Sequence, residues 1–136
     1  AGYAGRLEMV TGSLAGVLAA FSAEPSLDFW FCCSGPDATW NTGAAAHPPQ
    51  IQQLLSHATS NTLFLRARLA TQLGRFDETL GLGTPAKSGE DTDYALRAYQ
   101  AARISLFLPA TAVGHRRRDR RDRELYFEGA LFAIAR

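Results

Sequence analysis

The chain has 136 residues, 46% of them hydrophobic and 20% charged, and a formal net charge of +1. That length accommodates one core and the apolar fraction can fill it, which excludes a disordered tail and makes a single soluble domain over residues 1–136 the expectation. The near-neutral balance also argues against a surface that coats nucleic acid, although Arg116, Arg117, Arg118, Arg120, Arg121 and Arg123, diluted only by Asp119 and Asp122, make one basic run suited to a local anion such as a phosphate.

In chain order, Leu7, Val10, Leu14, Val17, Leu18 and Phe21 recur at three-and-four spacing, which predicts an amphipathic helix over residues 6–21, ended by Glu24-Pro25-Ser26. Its apolar stretch is too short to span a bilayer and is interrupted by Thr11, Gly12 and Ser13. Glu8 at its start, with no basic lead beyond Arg6, argues against a secretory signal. Residues 27–33 are an apolar, aromatic run bounded by turn formers and predict a buried strand. Cys32 and Cys33 are adjacent, so an extended backbone points them to opposite faces; reduced thiols and a cytoplasmic setting are expected. Ser34-Gly35-Pro36-Asp37 breaks the chain, and residues 38–49, rich in Ala, Gly, Thr and Pro around Trp40, read as a surface loop.

A helical turn is expected over 51–55, a strand over 59–65, and a helix over 66–73 stopped by Gly74. Ser88, with Asp91 three residues on, resembles a capping box and predicts a helix over 89–102. Two β-type runs, 104–108 and 111–113, are separated by Pro109, and Leu125, Phe127, Leu131, Phe132 and Ile134 suggest a final helix. Helices alternating with buried strands indicate an α/β fold, with helices packed on a mixed sheet.

Chemistry concentrates at Gly89-Glu90-Asp91-Thr92-Asp93, where three carboxylates fall within one helical turn behind a flexible loop. The bland account is a cap, since carboxylates at a helix N-terminus are stabilised by roughly 0.3–1 kcal/mol each. Asp91-Thr92-Asp93 spells D-x-D, but on a helix the two side chains diverge, so it is not taken as a metal-binding pair. His47 and His57 have no surrounding pattern and are read as structural or surface residues.

Four segments in order carry a resemblance. Ser60-Asn61-Thr62-Leu63-Phe64-Leu65-Arg66 is similar to an active-site strand of family-2 glycosyltransferases. Leu73-Gly74-Arg75-Phe76-Asp77-Glu78 resembles that family's GGFDE turn, with Arg75 at the second glycine. Gly89-Glu90-Asp91-Thr92-Asp93-Tyr94-Ala95-Leu96-Arg97 resembles its GED-x-D-x-x-x-R helix start. Pro109-Ala110-Thr111-Ala112-Val113-Gly114-His115 resembles its P-x-a-x-v-x-H strand. The likeness covers residues 61–115, and the expectation is the acceptor-side, C-terminal half of such a domain, a partial GT-A (nucleotide-diphospho-sugar transferase-like) fold whose donor-binding half is missing.

The resemblance implies an inverting transfer of a sugar from a nucleotide-diphospho-sugar donor to a hydroxyl of a glycan or lipid-linked acceptor. Asp91 corresponds to the general base, Glu90 to the residue that orients the acceptor, Asn61 to a substrate-binding residue lining the active site, and His115 to a ligand of a divalent metal, Mg or Mn, held weakly or not at all by this chain, which by itself is expected to show no transfer. The basic run after His115 would face a diphosphate or anionic acceptor, or be a solvated loop. Membrane-surface association at the cytoplasmic face and self-association are further expectations, with nucleic acid disfavoured because no aromatic residues interleave the arginines. A rival from another class is a non-catalytic domain, derived from such an enzyme, that binds glycan or protein without turnover.

Overall fold

The computed structural model describes residues 8–9, 13–35, 45–114 and 130–135. In chain order these form β1 (Glu8–Met9), α1 (Ser13–Ala23), β2 (Leu27–Gly35), α2 (Ile51–His57), β3 (Leu63–Leu65), α3 (Ala67–Leu73), α4 (Glu90–Ala101) and β4 (Ile104–Gly114), with a further helical turn over 130–134. The four strands make one mixed sheet in the order β1-β4-β2-β3. Its centre is the parallel pair β2 and β4, flanked by β3 antiparallel to β2 and by β1 antiparallel to β4. The architecture is α/β, with helices packed on the sheet.

Strand β2 is apolar on both faces because both faces are covered. Trp30 and Cys32 pack with Val17 of α1, Leu108 and Val113, while Phe29 and Phe31 pack on the other side with Leu54 of α2, Leu69 of α3, Ala95 and Ala98 of α4, and Phe107. Phe29 and Phe31 are fully buried, each contributing roughly 2–3 kcal/mol of apolar transfer. The small side chains of Ala95 and Ala98 let α4 lie close over those rings. Cys32 belongs to the first cluster and Cys33 flanks the second, so the adjacent thiols do face apart, and neither is in a disulfide.

Several expectations are corrected. Glu8 and Met9, placed by the periodicity inside a helix over 6–21, pair as a strand with Gly114 and Val113, and the helix begins at Ser13. Gly12, a poor helix former beside the cap-type residues Thr11 and Ser13, is the sequence signal the periodicity overrode. The strand expected over 59–65 is extended only at Leu63–Leu65. Thr62 ties the preceding turn instead, donating to the carbonyls of His57 (2.7 Å) and Thr59 (3.0 Å) and accepting from the Thr59 N–H (2.9 Å). The runs split by Pro109 are one strand. The register steps from Cys32↔Leu108 directly to Cys33↔Thr111, so Pro109 and Ala110 lie in a bulge where no ladder donor is required of the proline.

Helix α2 extends to His57 and α3 starts after Arg66, stopping at Gly74 as the sequence implies. The final helix is seen over 130–134, while residues 125–129 lie outside the described residues. No helix among the described residues is long and apolar enough to cross a membrane.

Candidate functional site

Helix α4 passes into β4 through Ala102 and Arg103 alone and packs over Phe107 with Ala95 and Ala98. Helix and strand therefore run antiparallel, which puts Glu90, the first residue of α4, toward the end of the sheet where β2 and β4 terminate. Strand β3 runs opposite to β2 with Leu63 across from Phe31, so Asn61, two residues before Leu63, sits toward that same end. Open α/β sheets bind ligands at the carboxyl ends of their parallel strands.

The start of α4 is shaped by its glycine. Gly89 is the N-cap at φ 105°, a left-handed conformation open to glycine at little cost. Gly89, not Ser88, occupies the cap, and no side chain caps the helix, so the expected capping box is not formed; Ser88 is buried one residue earlier. Glu90, Asp91 and Asp93 all lie in the first turn. Asp93 is committed to structure: its Oδ2 accepts from Arg97 Nε at 2.9 Å, and Arg97 also donates to the carbonyls of Leu73 (3.0 Å) and Arg75 (3.2 Å). Tyr94 stacks on Phe76 at 4.3 Å and lies under the Arg97 guanidinium. Asp93, Tyr94 and Arg97 thus fasten α4 to the Gly74-Arg75-Phe76 turn, a structural role for most of two motifs.

Glu90 and Asn61 differ from these. Glu90 Oε2 and Asn61 Nδ2 are the buried side-chain atoms among the described residues with no hydrogen-bond partner. A buried polar group left unpaired costs about 1–3 kcal/mol, and natural proteins keep few of them. The Asn61 carboxamide is oriented by the Thr59 hydroxyl, which donates to its Oδ1, so its amide N–H groups are the unused part. Glu90 presents the opposite polarity, an acceptor. Asp91 follows Glu90 on α4 and is partly buried.

His115 lies outside the described residues, as does the arginine run that follows it. Among the described residues no group of three His, Cys, Asp or Glu side chains converges as a metal site would. Burial raises the Cys33 thiol above its usual 9.0, which is unlike a nucleophilic cysteine. Histidines 47 and 57 both contact Phe107, His47 edge-on at 5.7 Å and His57 stacked at 5.5 Å, and His47 also bridges Phe107 through its backbone. Their structural reading fits this packing.

Sequence reasoning passed over Asp28. Its side chain is wholly buried at the opposite end of β2, where Arg103 donates from its backbone N–H (2.9 Å), Nε (2.9 Å) and Nη2 (3.0 Å), Arg68 donates to Oδ2, and Arg66 Nε stands 3.9 Å from Oδ1. The Arg103 side-chain hydrogen bonds hold the carboxyl at about 2, below its ordinary 3.8, against the opposing effect of burial. A register step between Leu27↔Ile104 and Phe29↔Ser105 makes Asp28 a bulged residue, which re-aims its side chain toward the arginines. The signal was available: one acid inside Leu-Asp-Phe-Trp-Phe. An open groove of about 390 Å³, lined by Pro48, Pro49, Tyr99 and Ile104 among others, adjoins Arg103 at this end, away from Glu90. Arg103 beside the groove is already engaged by Asp28, and among the described residues no unpaired buried side-chain atom belongs to the groove's lining.

Compared with protein-family models, with curated proteins and with solved structures, the chain matches none.

Proposed function

We propose that this chain carries the acceptor side of an inverting glycosyltransferase of family 2, with a GT-A type fold. The observation that carries the reading is the coincidence of two independent facts. The residues that the motif resemblance makes substrate-binding, Glu90 and Asn61, are the ones among the described residues whose buried side-chain atoms lack partners. A sugar hydroxyl both accepts and donates, and so suits an orphan amide N–H and an orphan carboxylate oxygen.

In this reading Glu90 and Asn61 orient the acceptor, and Asp91 takes the proton from its attacking hydroxyl as the C–O bond to the anomeric carbon forms and the nucleoside diphosphate leaves. Proton removal by a placed base contributes on the order of a hundredfold or more. A divalent cation, Mg or Mn, would neutralise the leaving diphosphate, with His115 as the candidate ligand. The donor is a nucleotide-diphospho-sugar and the acceptor a glycan or lipid-linked hydroxyl, met at the cytoplasmic face of a membrane.

The test is a transfer assay, over a panel of nucleotide sugars and hydroxyl acceptors, on an enzyme in which this chain is joined to a donor-binding half. Glu90→Gln and Asn61→Ala should raise the acceptor KM about tenfold or more, the worth of a hydrogen bond to a charged or desolvated group, and leave the donor KM unchanged. The non-catalytic alternative has one point in its favour, that the unpaired groups are binding groups. It predicts acceptor binding that Glu90→Gln weakens, with no turnover by any combination of donor and acceptor.

A further inference from the structure

Between the two motifs that flank it, the loop of residues 79–88 matches nothing functional in the sequence, yet it makes one close approach. A Cβ built on Gly81 would lie 3.2 Å from Glu90 Cδ, 3.3 Å from Oε2 and 3.5 Å from Oε1. The carboxylate therefore rests on a bare Cα, and the oxygen nearest that position but for the carboxyl carbon is Oε2, the buried one without a partner. Gly81 is itself buried and adopts φ 97°, where an L side chain is strained as well as obstructed. Its position is pinned: the Gly81 carbonyl accepts from both the Thr84 N–H at 3.2 Å and the Thr84 hydroxyl at 2.8 Å.

We infer that Gly81 is a positioning residue for Glu90. Its missing side chain sets where the carboxylate lies and keeps water off Oε2, so that an incoming hydroxyl meets a desolvated acceptor in a fixed place. A hydrogen bond in such surroundings is electrostatically stronger than one in water. The functional weight of the inference rests on reading Glu90 as an acceptor ligand; the geometric part does not.

Gly83 supplies the control, since it has φ 89° with nothing within 4 Å of its built Cβ. Gly81→Ala and Gly83→Ala share the backbone strain, and only the first meets Glu90. Two readouts are taken on the full chain: the carboxyl-carbon NMR resonance of Glu90, and melting temperature in a double-mutant cycle of Gly81→Ala with Glu90→Ala. The resonance should move in Gly81→Ala and hold in Gly83→Ala, and Glu90→Ala should restore part of the melting temperature lost in Gly81→Ala. If Gly81→Ala alone does not fold, recovery of folding in the double variant supports the inference equally. A resonance that moves alike in both glycine variants, or strictly additive melting temperatures, overturns it. In the transfer assay Gly81→Ala should raise the acceptor KM about tenfold with kcat and donor KM retained. A shifted Glu90 resonance together with an acceptor KM indifferent to Glu90→Gln would retain Gly81 as the support of Glu90 and discard the acceptor role.

Discussion

Arg103 holds Asp28 from three directions, with its backbone N–H, Nε and Nη2 all within 3.0 Å of the carboxylate oxygens. Because the wholly buried carboxylate ties the start of β4 to β2, and through Arg68 to α3, Asp28→Asn removes a charge that three guanidinium groups face. A loss of about 1–3 kcal/mol is expected, toward the low end because the arginines are themselves partly exposed to water. Urea unfolding at neutral pH measures it, and an unchanged midpoint would mean that the cluster is replaceable by water.

The same carboxyl gives the fold an acid limit. Its folded value of about 2 lies below the ordinary 3.8, so its stabilisation is fully present above 3.8 and is lost as the pH falls from there toward 2. Asp28→Asn, which cannot titrate, should show a flatter stability profile between pH 4 and 2 than the parent chain. Parallel profiles would assign the acid sensitivity to other carboxylates.

His57 works in a different range. Burial against Phe107 lowers its value below 6.5, so the unfolded chain takes up the proton first. The folded state is then favoured fully above 6.5 and progressively less as the pH drops beneath it. His57→Phe keeps a ring on Phe107 and should remove that part of the pH dependence between 7 and 5. An imidazole titration by NMR with a midpoint at or above 6.5 would contradict the expectation.

Arg97 connects the two motifs that surround the candidate site. Arg97→Lys keeps the charge near Asp93 but loses the planar fork that reaches the Leu73 and Arg75 carbonyls together. A cost of about 1 kcal/mol is expected, with faster amide exchange at the C-terminal end of α3. Exchange unchanged there would show that the stack of Phe76 on Tyr94 suffices to hold the turn.

What was legible in the sequence follows from what each signal measures. The run around Phe29 and Phe31 revealed its strand because burial on both faces leaves no polar alternation to obscure it. Gly74 gave the end of α3. The pairing of Glu8 and Met9 with β4 depends on partners more than a hundred residues away, and local periodicity carries no trace of that. Pro109 looked like a strand breaker because the bulge that accommodates it is a property of the pair β2 and β4. At the site, the cluster Glu90, Asp91 and Asp93 stood out by composition, but only coordinates separate Asp93, bonded to Arg97, from Glu90, which has an oxygen without a partner. The contact of Gly81 with Glu90 was invisible because a glycine in a loop has many reasons to be there.

The last prediction divides cap from catalyst at Asp91. In the second position of α4, behind an N-cap glycine that contributes no side chain, a carboxylate there stabilises the helix through its dipole by roughly 0.3–1 kcal/mol. Asp91→Asn keeps the shape and removes the charge, so the melting curve should shift by no more than that amount implies. If Asp91 is the base, the same change in an enzyme that also carries a donor-binding half leaves nothing to take the acceptor proton, and kcat should fall by about a hundredfold or more while the acceptor and donor KM values stay near those of the parent. The companion Asp93→Asn should do the reverse, because Asp93 is bonded to Arg97: stability falls and turnover per folded molecule is retained. Rate and melting temperature measured on both variants decide the matter, and an Asp91→Asn protein that turns over normally would leave Asp91 as a helix-end charge and nothing more.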